Sequence, residues 1–137
     1  MKGFKYMKLI TFEDIQKMNI SPKLCYQWVS EMLVNKNNTQ LPAKISMKFE
    51  DDIFCNVMPC ILPNTNLGHF EGVKVVTRYP SRIPSLDSKL LLLNANTGEF
   101  LALMDANWIT AMRTGAVAAH SILLLGKKVF RRLELLD

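Results

Sequence analysis

The sequence is poor in the residues that build metal and disulfide sites. It has three cysteines, Cys25, Cys55 and Cys60, and two histidines, with no C-x-x-C pair and no histidine at ligand spacing from a cysteine. An odd, scattered set of this kind argues against structural zinc and against a disulfide framework. No apolar run reaches the roughly 18 residues of a membrane span, and the N-terminus lacks the apolar core of a signal peptide. A cytoplasmic protein is the expectation. Charge of one sign is in excess, with a net +5 and pI near 9.2, but the lysines and arginines are dispersed. Only Lys127, Lys128, Arg131 and Arg132 cluster, at the very end of the sequence, where a basic helix terminus or tail is the ordinary reading. Nucleic acid is therefore not the expected partner. Internal repeats and low-complexity stretches are also missing.

What is present is apolar patterning: 49% of the 137 residues are hydrophobic, enough for one domain with a core. Residues 8–11 fit a short strand, and Thr11 is placed to cap a helical turn bearing Glu13 and Asp14 at its positive end. Ser21 with Pro22 starts a second helix, on which Leu24, Cys25, Trp28, Val29 and Met32 form one face before Asn35 to Asn38 end it. The period then changes to two. Ile45, Met47 and Phe49 alternate with Lys44, Ser46 and Lys48, and strands are expected over 53–61, 72–78, 88–94 and 99–104. Asn96-Thr97-Gly98 closes the last pair as a hairpin. Pro59 and Pro63 argue for an edge, a bulge or an exit into a loop. Asp105 is placed to cap a long closing helix running to Gly126, apolar nearly all round and so expected to be covered on more than one side. The fold class is α+β: N-terminal helices, a mostly antiparallel sheet of five to six strands and a long C-terminal helix.

Four cations stand where an anion could be held: Lys44 opening a strand, Lys74 within Gly72-Val73-Lys74-Val75-Val76, Arg82 in a loop, and Arg113 in the closing helix. A lysine among β-branched neighbours is either partly desolvated beside a cleft, which lowers its pKa and suits it to proton transfer, or turned to solvent on a half-exposed strand. Arg113 among small and apolar residues needs a carboxylate or phosphate partner, either a ligand or an internal acid. Gly115 and Ala116 permit another backbone to approach. His69, placed in a loop, and His120, in a helix, have no neighbours that would make either a ligand or a base, and both read as structural.

Gly72 to Val76, Thr97-Gly98 and the stretch Leu103-Met104-Asp105 through Thr110-Ala111-Met112-Arg113-Thr114-Gly115-Ala116 occur in one order. In this the chain resembles the ornithine cyclodeaminase/mu-crystallin family over about residues 8–126. The resemblance implies an α+β substrate-binding and dimerisation domain over 1–126, which in the family precedes a Rossmann domain for NAD(H) or NADP(H). It implies hydride transfer at the α-carbon of an amino acid, as in conversion of ornithine to proline and ammonia through an imine. Relatives reduce cyclic ketimines or interconvert alanine and pyruvate. Position by position, Lys74 matches the lysine that contacts the substrate carboxylate and assists proton transfer. Lys44 falls where an arginine often clamps that carboxylate, keeping the charge but losing the two-point fork. Met58-Pro59 matches a segment lining the substrate pocket, Ser88 a small hydroxyl residue at the cofactor phosphates, and Arg113 an arginine where cofactor and substrate meet. No metal is implied.

Residues 127–137 read as a basic linker or an aberrant tail, and no G-x-G-x-x-G exists in the sequence. The expectation is a chain cut off ahead of the NAD domain, by natural truncation, frameshift or isolation of the domain, and inactive alone. A free-standing dimerising or amino-acid-binding module without catalysis is the other reading.

Overall fold

The computed structural model describes residues 6–50 and 52–126; the basic cluster expected at 127–132 lies outside them. Six strands form one mixed sheet: β1 (Lys8–Ile10), β2 (Ile45–Glu50), β3 (Ile53–Thr65), β4 (Gly68–Arg78), β5 (Leu86–Asn94) and β6 (Phe100–Asp105). Their spatial order is β1-β6-β5-β4-β3-β2, with every neighbour antiparallel except β1, which runs parallel to β6. Three α-helices accompany them: α1 (Phe12–Lys17), α2 (Pro22–Val34) and α3 (Asn107–Leu125). The α+β class is therefore observed.

Local sequence explains most boundaries. Thr11 accepts from the Asp14 amide while the Asp14 carboxylate returns to the Thr11 amide, a reciprocal capping box at α1. Ser21 caps α2 ahead of Pro22. Gly98, at φ 70°, takes the left-handed position that turns β5 into β6.

Three expectations need correction. Of the alternatives open for Pro59 and Pro63, the exit into a loop is not observed: β3 pairs with β4 from Phe54 to Thr65 to make the longest hairpin. Pro59 is tolerated because β2 stops at Ile45, opposite Val57, and the next outer bridge is Gln40 to Ile61. Ile61 turns its backbone toward Gln40, so Pro59, two residues earlier, turns its missing N–H into the gap between those two pairings. Pro63 falls in the register shift between Leu62 and Thr65, where a bulge accommodates it. His69 thus lies in β4 rather than in a loop. At α3 the N-cap is Ala106, with no side-chain bond; Asp105 ends β6 and accepts from the Asn107 amide.

The third correction concerns α3 itself. At 19 residues and mean hydropathy 1.2 it is long and apolar enough, by length and composition, to cross a membrane, although no such stretch was expected. Nor is it covered all round: Leu123, Leu124 and Leu125 stand exposed. α3 packs on α2 and on the sheet. The buried residues are Ile15 of α1, Cys25 of α2, Val76, Ser88, Leu93 and Ala102 of the sheet, and Ala106 and Ala116 at and within α3, so the core lies between the helices and the sheet, with α3 against β5. Small side chains there let the helix lie close to the strands.

Antiparallel register decides which side chains share a face. Met58, Lys74, Leu90, Met104 and Ile10 are direct partners across five strands and form one row. The row faces the helices, because Lys74 reaches Thr110 of α3 while Met104 and Ile10 border a groove with α1 and α2. The opposite face carries Ile45, Val57, Pro59, Val73, Val75, Leu91, Leu103 and Leu9, and among the described residues no helix packs over it.

Candidate functional site

The site lies where that row meets α3. Asn107, Thr110 and Arg113 follow each other at three-residue intervals on successive turns of the helix, and Asn107 and Thr110 reach Ser88 and Lys74 of the sheet. The spacing Asp-x4-Thr-x2-Arg is thereby explained: Asp105 ends the strand, and the threonine and arginine occupy successive turns on one side of the helix.

The Lys74 ammonium donates to the Thr110 hydroxyl at 3.3 Å. Partial burial is the main cause that lowers its pKa from the ordinary lysine value, and the nearby positive charge of Arg113 lowers it further. Among the described residues, neither cation has an ion pair recorded with a carboxylate. Two positive groups brought together without an acid between them are electrostatically costly, and an anion is what would relieve them. Of the alternatives open for Lys74 in the sequence, the structure selects the desolvated one. Arg113 is exposed rather than enclosed, and it borders an apolar groove of about 720 Å³ with Trp28, Met32, Met104 and Trp108.

Met58 stands directly beside Lys74 across the β3–β4 ladder. Lys44 is exposed and just precedes β2; one step beyond the Ile45 to Val57 pair, it flanks Met58. It is thus two strand spacings, about 10 Å, from the Lys74 backbone. Ser88 is buried at 3% exposure, and its hydroxyl lies 3.0 Å from Asn107 Oδ1 and 3.1 Å from the Thr110 hydroxyl, which places it inside the α3 contact. Arg82 has a different employment. Its guanidinium donates to the carbonyls of Thr77, Pro84 and Ser85 and to the Thr77 hydroxyl, and stacks on Tyr79, so it holds the β4–β5 loop together. His120 lies between the hydroxyls of Tyr26 and Ser30 and joins α3 to α2, as a structural histidine would.

Three contributors were not singled out from the sequence. Thr110 was seen only as part of a motif, and it is the acceptor for Lys74. Asn107 could have been flagged as a polar residue at the first turn of an apolar helix. Asn56 sits one row from Lys74 on the helix-covered face, its side-chain oxygen buried without a partner. Among the described residues no group of three or more His, Cys, Asp or Glu could hold a metal.

Comparison with known proteins agrees with this geometry. The model of the ornithine cyclodeaminase/mu-crystallin family matches residues 6–136. The Δ(1)-pyrroline-2-carboxylate reductase of Colwellia psychrerythraea is 38% identical over 69 residues, 47% of this chain and 22% of that protein. The alanine dehydrogenase of Archaeoglobus fulgidus is 28% identical over 126 residues, 88% of this chain and 37% of that protein. Among solved structures, the Thermococcus litoralis Δ(1)-pyrroline-2-carboxylate reductase in complex with NADH and L-proline superposes with a TM-score of 0.78 at 31% identity. The match covers 89% of this chain and 39% of that one. An archaeal alanine dehydrogenase dimer with bound NAD gives 0.76 at 26% identity, over 89% of this chain and 38% of that one. The chain therefore spans about two fifths or less of these relatives.

Some of those relatives hold NAD or NADH. A pyrophosphate is held by a glycine-rich turn at a helix N-terminus. The strand-to-helix junctions described here pass through Thr11 and Ala106, with no glycine at either, and do not form such a cradle. Sequence motif, sheet topology and the family match over residues 6–136 lead to the same place: the chain belongs to the ornithine cyclodeaminase/mu-crystallin family.

Proposed function

We propose that this chain supplies the carboxylate-binding half of a site that oxidises or reduces a small amino or imino acid with NAD. One observation carries the proposal: Lys74 is half-buried under α3 with a hydroxyl as its partner and the Arg113 charge near enough to act on it, and among the described residues neither cation is paired with a carboxylate. A bound nicotinamide would accept the hydride in oxidation or supply it in reduction, and the residues here would hold the substrate. Lys74 binds the α-carboxylate, Arg113 adds charge at the groove edge, and Met58 packs on the carbon skeleton. Lys44 reaches over Met58 as a second, more mobile cation. Because Lys74 loses its proton more readily than an ordinary lysine, it is also suited to passing a proton to or from the substrate nitrogen.

A second reading, reduction of a cyclic imino acid or oxidation of alanine rather than cyclisation of ornithine, has its own support. Pyrroline-2-carboxylate reductases and alanine dehydrogenases are among the relatives at 25% identity or more, whereas the ornithine and lysine cyclodeaminase structures, at 17% and 18%, share the fold alone.

Calorimetric titration of the chain with L-proline, L-alanine and L-ornithine, with pyrrolidine as the carboxylate-free control, tests the site. Heat from an amino acid but not from pyrrolidine is expected, with affinity falling at least about tenfold in Lys74→Met. Equal binding in the variant would remove Lys74 from the site. The apolar second face of the sheet is proposed to pair with its twin in a homodimer, as Leu9 at 71%, Ile45 at 58% and Met47 at 51% exposure require some cover. Sedimentation should show a dimer that Val75→Asp splits; an unaltered monomer would refute the pairing.

A further inference from the structure

A continuous line of hydrogen bonds leads from Lys74 to the protein surface, and its direction can be worked out from one end. Asn107 Nδ2 lies 3.1 Å from Asp87 Oδ1 and 3.4 Å from Asp105 Oδ2. Both carboxylates also accept from Lys89, at 2.8 and 2.9 Å. A carboxylate can only accept, so the Asn107 amide must present its N–H groups to them and its oxygen to the other side. That oxygen takes the Ser88 backbone amide at 2.8 Å and the Ser88 hydroxyl at 3.0 Å. An amide oxygen has no proton, so the Ser88 O–H is committed toward Asn107, leaving the Ser88 oxygen free to accept. The Thr110 hydroxyl at 3.1 Å donates to it, and the Thr110 oxygen then accepts from Lys74.

We propose that Asn107 and Ser88 are positioning residues for Lys74. Through Thr110 they aim a lone pair, rather than a proton, at the Lys74 nitrogen, and so set both its place and its readiness to lose a proton. The Asp87–Lys89–Asp105 group at the surface is the anchor that fixes the polarity of the line. Hydroxyls free to rotate could present a proton to Lys74 half the time and would then oppose its charged form. A fixed series ending on carboxylates makes each acceptor in it more electron-rich. The burial and the Arg113 charge that depress the Lys74 pKa are thus partly offset by this line. Its role in substrate binding rests on the reading of Lys74 given above; its effect on the amine does not.

The test therefore uses the unliganded chain. Its lysines are carbon-13 labelled, the Cε resonance of Lys74 is assigned with Lys74→Arg, and its titration is followed by NMR. Ser88→Ala removes the hydroxyl link while leaving the backbone bond to Asn107, and should move the Lys74 pKa further down; acetylation of Lys74 at fixed pH should become about threefold faster. Ser88→Thr, which keeps the hydroxyl, should restore the original titration. Asn107→Ala removes the acceptor that commits the Ser88 hydroxyl and should also move Lys74 down, and combined with Ser88→Ala it should add little further. Additive shifts would mean that the two residues act on Lys74 separately and would overturn the proposal. So would a Lys74 titration untouched by Ser88→Ala in a chain whose amide spectrum shows it folded. If Ser88→Ala does not fold, a Lys74 titration that Asn107→Ala leaves in place overturns it instead. Failure of every amino acid to bind would count against the substrate reading and leave these shifts as predicted.

Discussion

Lys74 and Lys89 stand one strand apart, on β4 and β5, yet on opposite faces of the sheet. Lys89 is bound by two carboxylates, chiefly Asp87 and then Asp105, and its pKa is raised. It is half-exposed, so solvent screens the pair and little stability is gained. Lys74 has a hydroxyl and another cation for company, and its pKa is lowered. A satisfied lysine on the outer face serves to hold acids in place, whereas an unsatisfied one under the helix is a place for an acid to come from outside. The sheet therefore presents the same side chain twice, once as a finished contact and once as half of one.

The contrast would be most sharply broken at Arg113. If the pair is an anion site, Arg113→Met should weaken L-proline or L-alanine binding by about tenfold, the scale of one charge-assisted contact. The same change should raise the Lys74 pKa, since one of its two depressing causes is removed while burial remains. A calorimetric affinity that stays put while the Lys74 titration rises would make Arg113 an electrostatic neighbour only, with no hand on the ligand.

Much of this arrangement could be read from residue order, and the parts that could not have physical reasons. Helix starts were visible because Thr11, Ser21 and Pro22 act within one turn of themselves. Lys74 and Arg113 stood out because charges in apolar settings need an explanation wherever they fall. The length of β3 was hidden, because a proline's effect depends on which neighbour its missing N–H would have faced, and that requires knowing where β2 stops. Ser88, Asn107 and Thr110 form one line only after β5 and α3 are brought together across some twenty residues. Arg82 looked like a free cation because the carbonyls it binds become convergent only when the loop has folded.

The smallest effect separates the two lysines by sign rather than size. A group whose folded pKa lies below its unfolded value binds fewer protons when folded, so stability rises with pH through the interval between the two. Lys74 therefore makes the chain more stable as pH climbs from its lowered folded value toward the ordinary lysine value. Lys89 has the opposite sign: its contribution is complete below the ordinary value and is lost as pH rises through the higher folded one. Urea midpoints measured across this range in Lys74→Met and Lys89→Met should diverge from the parent in opposite directions. Lys74→Met should lose the rise. Lys89→Met should lose the later fall and, at neutral pH, less than about 1 kcal/mol of stability, because exposed pairs contribute little. Parallel pH profiles for the two variants would mean that the two lysines sit in equivalent surroundings, and the distinction between a filled contact and an open one would have to be given up.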